Sequence, residues 1–531
     1  MRFPVVYRFF ITLTVVLLLY SDVQANNIVV SDGPHFRKVI GQPYAEIQFG
    51  LMWEHSWHFK HKNRHNITNW DAAWVFVKYS ANNEPWRHVY LDSEINNHRI
   101  IEASDSVVMK IGTSMVGGTE RAMGVFVHRD TAGNGIIEVR KAILRWNFED
   151  QGVTLTAEDT IKLRMFAIEM VYIPEGPFYF GDCAFTTHLD AKNRYVSAFN
   201  QNGNIVDATA VNCATGIAPI SPLVSEDPSL RFRGAAMQPD FPKGFKGIYV
   251  MKHNISQHAY VDFLNTLTYT QQAQRTWNNN PAAPMNTFVM GPNAGTTGTT
   301  HRNYIRIRIP GAAADQISAM YGHSIGGGFT SWDRDSNGGN VACNFMNIFD
   351  GLAYADWAGL RPMTEMEFEK ITRGPIAPFT GEYAWGARFV EEGHSMQFAF
   401  TGREFMVGNF RSINGAPIRV GSFAHYWTTR EESGGAYYGP MNMSDNVWER
   451  VISLAVGSTF FDGRHGDGEL DANGFADVQN WPSPTNFRGW GTRGNQISNR
   501  THAETLGPET TAAQRPTTLS HYGFRAVRTA P

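Results

Sequence analysis

The stretch from Leu352 to Pro375, LAYADWAGLRPMTEMEFEKITRGP, carries two helices together with the signals that start and stop them. Ala353, Tyr354 and Trp357 recur on one helical face, and Gly359 supplies a C-terminal exit. Thr364, with Glu367 three residues on, spells a capping box, in which the hydroxyl and the carboxylate each satisfy an orphan backbone N–H of the next helix. Phe368 and Ile371 give that helix an apolar inner face. Arg361, Glu365, Glu369 and Arg373 are placed to tie it to neighbouring loops by charge-assisted hydrogen bonds.

Working outward, Tyr249 to Leu267 (YVMKHNISQHAYVDFLNTL) shifts from strand to helix. Ile255, Ala259, Phe263 and Leu264 fall at helical spacing, with Ser256 as N-cap. Met170 to Gly181 reads as strand, Pro/Gly turn and strand. The segment from Ala184 to Gln238 is polar and turn-rich, and the Gly/Asn/Thr/Pro tract from Asn278 to Thr300 reads as an insertion or long loop. Between Asn27 and Ile168 the period is two: Ala45–Leu51, Ala73–Tyr79, Gly124–Arg129 and Ala142–Phe148 alternate, with turn breaks at Asn83, Asp92, Gly117-Gly118 and Gly133-Asn134-Gly135. Residues 27–168 therefore predict an antiparallel β-sandwich without an active-site pattern. His55, His58, His61 and His65 crowd one stretch there, but their spacing matches no zinc motif, and Lys60, Lys62 and Arg64 would repel a metal; they read as a solvated loop.

The 531 residues carry a formal net charge of −3, which gives no pull toward nucleic acid, and none is expected as a partner. With 50 glycines, 14 tryptophans, 35 phenylalanines and only 18% charged residues, the composition suits compact, loop-rich and β-rich domains. Arg2 and Arg8, the apolar run Phe9 to Tyr20 and the small-residue site Val23-Gln24-Ala25 predict a signal peptide over residues 1–25. That run falls short of the roughly 20 residues a spanning helix needs, and no later segment is apolar enough. A secreted, periplasmic or cell-surface location is expected. Cys183 and Cys213 are the pair an oxidising compartment would bridge, although sequence leaves the connectivity open, and Cys343 is expected as a buried thiol.

Six segments in order, MVYIPEGPFYFGD, YVMKHNISQHAYVDFLNTL, CNFMNIFDGLAYADWAGLRPMTEMEFEKITRGP, NMSDNVWERV, NFRGWGTRG and GFRAVR, resemble the formylglycine-generating enzyme, or sulfatase-modifying factor, domain family over Met170 to Arg528. The resemblance implies an α+β fold: a C-type lectin-like domain with little regular structure over residues 170–531. The leading sandwich is similar to the N-terminal module of secreted bacterial relatives.

The resemblance further implies a calcium loop at Asn442 to Glu449. Asn442 and Glu449 would offer side-chain oxygens, and Met443, Asp445 and Val447 backbone carbonyls, to an ion that wants six to eight hard oxygens. Asn409 and Phe410 match the start of a second loop whose acidic partner is missing. The family's enzymes bind copper(I) through two C-terminal cysteines, and this chain has none after Cys343, so no copper and no formylglycine generation by that mechanism are expected. Trp481, Phe487, Arg488, Trp490 and Arg493 lie in the segment that forms the family's cleft, and are the expected ligand-cleft residues, with core packing as the alternative fate of the tryptophans. Two acidic stretches, Asp333–Gly338 and Asp462–Asp471, lack an EF-hand register and read as solvated turns. The function expected is binding of a protein, peptide or glycan, or extracellular assembly as a homo-oligomer; the alternative is an oxidoreductase with a divergent cofactor.

Overall fold

The computed structural model describes residues 28–39, 41–60, 68–156, 159–178, 240–291, 300–324, 338–376, 382–393, 405–409, 416–424, 428–452, 460–482, 490–494 and 521–531, with a few isolated residues and short pairs between them. Nine strands occupy the N-terminal third: β1 (Val29–Lys38), β2 (Ala45–Lys60), β3 (Thr68–Ala81), β4 (Arg87–His88), β5 (Arg99–Ala103), β6 (Val107–Val116), β7 (Thr119–Arg129), β8 (Gly133–Trp146) and β9 (Ile161–Ile173). All four alternating stretches lie largely within these strands. Each pairs antiparallel with its neighbours, as short polar turns between alternating runs require.

β3 organises the layer. One edge pairs with β9 from Asp71↔Val171 to Ala81↔Ile161, while the other is shared between β2, β7 and β4. Its side chains alternate between two interiors. Ala73, Val75, Val77 and Tyr79 face a core closed by Phe49, Leu51, Trp53, Leu144 and Trp146, all from the N-terminal strands. Ala72, Trp74 and Phe76 face the opposite way and pack with Phe263, Leu352, Tyr354 and Trp357 from the C-terminal part. A strand buried on both faces reads as a near-continuous apolar run, which is what Ala72 to Val77 shows.

β9 carries the sheet onward. Its last residues pair with the strand Ile248–Met251 (Met170↔Met251, Ile173↔Ile248), which pairs in turn with Ala526–Thr529 and so reaches Arg361–Pro362, making a twelve-stranded sheet. The boundary expected between residues 168 and 170 thus falls inside a strand rather than in a linker.

Among the described residues, four α-helices follow: α1 (Gln257–Leu264), α2 (Tyr269–Arg275), α3 (Ile348–Trp357) and α4 (Glu365–Arg373). Their starts follow the sequence. Ser256 caps α1, and Thr364 and Glu367 close a reciprocal capping box on α4. A second box, Asn347 with Asp350, starts α3, which ends at Gly359 with φ of 66°. Arg361 donates two hydrogen bonds to Glu367 at 2.9 and 2.6 Å, and Arg373 is held by Glu369 and Glu382, so the charge ties expected of Arg361, Glu369 and Arg373 exist and are buried. Glycine is required beside Trp74: a side-chain carbon at Gly112 or Gly124 would stand 2.7 or 2.9 Å from the indole. No helix among the described residues is long and apolar enough to cross a membrane.

Candidate functional site

A cavity of about 510 Å³ opens where β9 meets α1 and α3. Met165, Phe166 and Ile168 of β9 with Tyr354 and Trp357 of α3 form an apolar floor. Glu169, Asn254, Ser256, His258, Asp262 and Asn340 bring polar atoms to it. Such a mixture, an apolar floor with a few convergent polar groups, is the usual composition of a small-ligand site.

The polar groups are held from several directions. Buried Glu169 accepts from the Lys252 ammonium and has His253 Nε2 3.7 Å from its other oxygen. Asn254 donates to Glu449 at 2.7 Å, while its own Oδ1 is buried with no hydrogen-bond partner among the described residues. On α1, helical spacing sets His258 beside Asp262, with Nε2 and Oδ2 3.6 Å apart. The other nitrogen of His258, Nδ1, lies 3.2 Å from Nε2 of His323 at the end of the strand Met320–His323.

The expected calcium loop is part of the interior. Asn442 Oδ1 accepts the Gly421 N–H at 2.8 Å, and Asn442 Nδ2 donates to both oxygens of Asp445. Glu449 Oε1 accepts from Asn254 and from Arg525 Nε at 2.8 Å, whereas Glu449 Oε2 is buried and has no hydrogen-bond partner among the described residues. Burial pushes the Asp445 carboxyl up to about 7 and raises that of Glu449, against the pull of Arg525. The set fits a calcium ion in part. Glu449 Oε2 is an orphaned anionic oxygen of the kind an ion takes, but the adjacent Arg525 guanidinium already supplies positive charge there. Asn409 Oδ1, from the start of the second loop, accepts the Glu391 N–H, and Phe410 lies outside the described residues.

The expected ligand-cleft residues need correction. Trp481 is buried and donates to the Arg464 carbonyl; Trp490 packs edge-on against Phe349 inside the core; Arg493 is buried against Glu369 at 2.5 Å, over the Phe368 ring. None of the three lines an open surface, each being buried. Phe487 and Arg488 lie outside the described residues, as do Cys183 and Cys213. Cys343 is a buried thiol, as expected.

The acidic stretch Asp462–Asp471 is also not the solvated turn that was expected. Glu469 accepts the His88 backbone N–H at 2.6 Å, and Lys78 of β3, itself buried, donates to the Gly468 carbonyl. Asp356, Asp467 and Asp477 bring carboxylate oxygens within 4.8 Å of one another, but Asp356 already accepts backbone N–H groups from Asp467 at 3.0 Å and Asp477 at 3.3 Å. Burial lowers the Lys78 ammonium to about 8 although Glu469, Asp356 and Asp467 pull it upward. His58, read as part of a solvated loop, is instead buried on β2 with Nδ1 3.0 Å from the Arg129 carbonyl. Sequence reading missed Lys78 and the His258–His323 contact. A lone lysine inside an alternating apolar strand was the available signal for the first; the second joins residues too far apart to be paired by spacing.

With this architecture in view, the profile of the sulfatase-modifying factor enzyme 1-like domain matches residues 164–530. The chain belongs to that family, and the match begins inside β9, where the continuous sheet passes from one part to the other. No curated protein matches the chain.

Proposed function

We propose that this chain is a secreted, periplasmic or cell-surface bacterial protein whose sulfatase-modifying-factor-like domain binds a peptide, glycan or protein ligand and does not generate formylglycine. The observation that carries this reading is the cysteine inventory: Cys343 is the last cysteine in the chain and lies buried in the main core, so no C-terminal thiol pair exists to take copper(I). The cavity between β9, α1 and α3 is the ligand site this reading assigns, and the N-terminal signal pattern supports export. A C-type lectin-like core suits this role, and calcium at Asn442, Met443, Asp445, Val447 and Glu449 would act as a brace for the scaffold. Assembly into a homo-oligomer is a further form of the same binding role.

The test pairs two assays. Purified protein is screened on glycan and peptide arrays and incubated aerobically with copper and a cysteine-containing sulfatase peptide. Binding that is lost on filling the cavity with Ala259→Trp, together with an unoxidised thiol, is the expected result. Conversion of the cysteine to formylglycine would overturn the proposal. The alternative, an oxidoreductase with a divergent cofactor, has one structural observation in its favour, the imidazole contact between His258 and His323.

A further inference from the structure

We infer that His258 and His323 form a binding site for a divalent transition-metal ion at the rim of the cavity. His258 Nδ1 and His323 Nε2 stand 3.2 Å apart, with the rings inclined at 78° and their centroids 5.4 Å apart. Two nitrogens bound tetrahedrally to one zinc ion at about 2.0–2.1 Å stand about 3.3–3.4 Å from each other, close to the separation observed. Imidazole nitrogen suits zinc, copper and nickel, whereas calcium and magnesium want oxygen.

The surroundings are those of a metal-binding imidazole. Asp262 Oδ2 lies 3.6 Å from Nε2 of His258, on the ring edge away from His323, so a carboxylate backs the ligand. At 3.6 Å the contact is electrostatic; closing it to hydrogen-bond distance when a metal binds would fix the tautomer and raise the basicity of the ligating nitrogen.

Both carriers are locked. Tyr321, two residues before His323, exchanges hydrogen bonds with Asn265 at the C-terminus of α1, at 2.8 and 3.1 Å. The His258 backbone N–H donates to the Gly339 carbonyl at 2.9 Å. A side-chain carbon at Gly339 would lie 2.6 Å from His323 Nε2, so glycine keeps the space beside that nitrogen clear.

The two ligands differ in access. The His258 side chain is 53% exposed and His323 is fully buried, so an ion between them would be anchored on one side and open to the cavity on the other. Two protein ligands leave the remaining positions for water or for an oxygen or nitrogen donor of a bound molecule, one more open position than the three-ligand zinc centres of enzymes keep. This site stands on the imidazole geometry alone, and does not depend on the cavity accepting a peptide or glycan.

An N–H···N hydrogen bond would hold the same two atoms at a similar separation, and metal titration distinguishes the two. Full-length protein is stripped with chelator, dialysed, and titrated with Zn²⁺ by calorimetry and with Cu²⁺ by electron paramagnetic resonance. One ion per chain is expected, with hyperfine coupling to two imidazole nitrogens. His258→Ala, at a half-exposed position, is expected to keep the near-ultraviolet circular dichroism of the parent and to weaken binding at least tenfold. Asp262→Asn is expected to weaken binding by about tenfold, as loss of such a supporting carboxylate does. Absence of stoichiometric binding, a copper spectrum without nitrogen coupling, or unchanged affinity in His258→Ala would overturn the inference and leave a hydrogen-bonded imidazole pair. Array binding of the stripped protein tests the ligand role separately.

Discussion

The indole Nε1 of Trp74, on β3, donates to the carbonyl of Ala358, just past the end of α3, at 2.8 Å, and so joins the first part of the chain to the second. Arg528 lies over the same ring at 4.7 Å and donates to the Gly359 and Thr113 carbonyls, so three distant segments converge on one side chain. Trp74→Ala should cost about 3–5 kcal/mol, the range for a large buried aromatic. Trp74→Phe should cost less, removing the hydrogen bond and part of the ring. Guanidinium unfolding followed by circular dichroism and fluorescence checks both; a loss under about 1 kcal/mol for the alanine variant would show that the ring is not a junction.

Lys78 is the cation that the acidic loop folds around. Lys78→Met should destabilise by about 3–5 kcal/mol, as breaking a buried ionic cluster does. The loss should grow as pH rises, because burial holds the carboxyls of Asp467 and Glu469 above their usual range and they ionise without a counter-charge in the variant. Melting temperatures of parent and variant between pH 5 and 8 supply the check, and parallel curves would refute the coupling.

Asp445 makes its own contribution to pH dependence. Its carboxyl is pushed from the usual 3.8 up to about 7, so between those values the folded chain holds a proton that the unfolded chain has released. Its stabilising contribution is therefore complete below about pH 4 and is lost as pH rises through 7, at up to about 1.4 kcal/mol per unit. Asp445→Asn should remove that slope. If calcium occupies the loop, millimolar Ca²⁺ should raise the melting temperature of the parent at pH 7.5 and act less at pH 5, where protons compete. Equal response at both values would place the ion elsewhere.

Arg361 meets Glu367 through two parallel hydrogen bonds in the interior, a geometry a guanidinium matches and an ammonium does not. Arg361→Lys should destabilise by about 2 kcal/mol, since the buried carboxylate loses one of its two charge-assisted hydrogen bonds to the guanidinium. Chemical denaturation reads this directly, and a change below 0.5 kcal/mol, on the order of a surface substitution, would contradict it.

Legibility followed the range of the interactions. Thr364 with Glu367 and Ser256 before α1 were readable because a cap is satisfied within one turn of chain. Asn347 with Asp350 carries the same signal and was passed over. Alternation located the strands but not the second interior, since Trp74 and Phe76 look outward until the partner that covers them is known. The same gap explains why Asp467 and Glu469 read as solvated, and why Trp481, Trp490 and Arg493 read as cleft residues: each is covered by segments distant in sequence. His258 and Asp262 stand at helical spacing but carry no motif that singles them out, and His323 reaches them only through the pairing of Tyr321 with Asn265.

The shared wall of β3 and β9 also bears on how the molecule responds to force. A tether pulling the two parts in opposite directions along these strands would load the ladder from Asp71↔Val171 to Ala81↔Ile161 in shear, with all its hydrogen bonds strained together and not one after another. Such a joint resists tension far better than a flexible hinge, because its hydrogen bonds must break together.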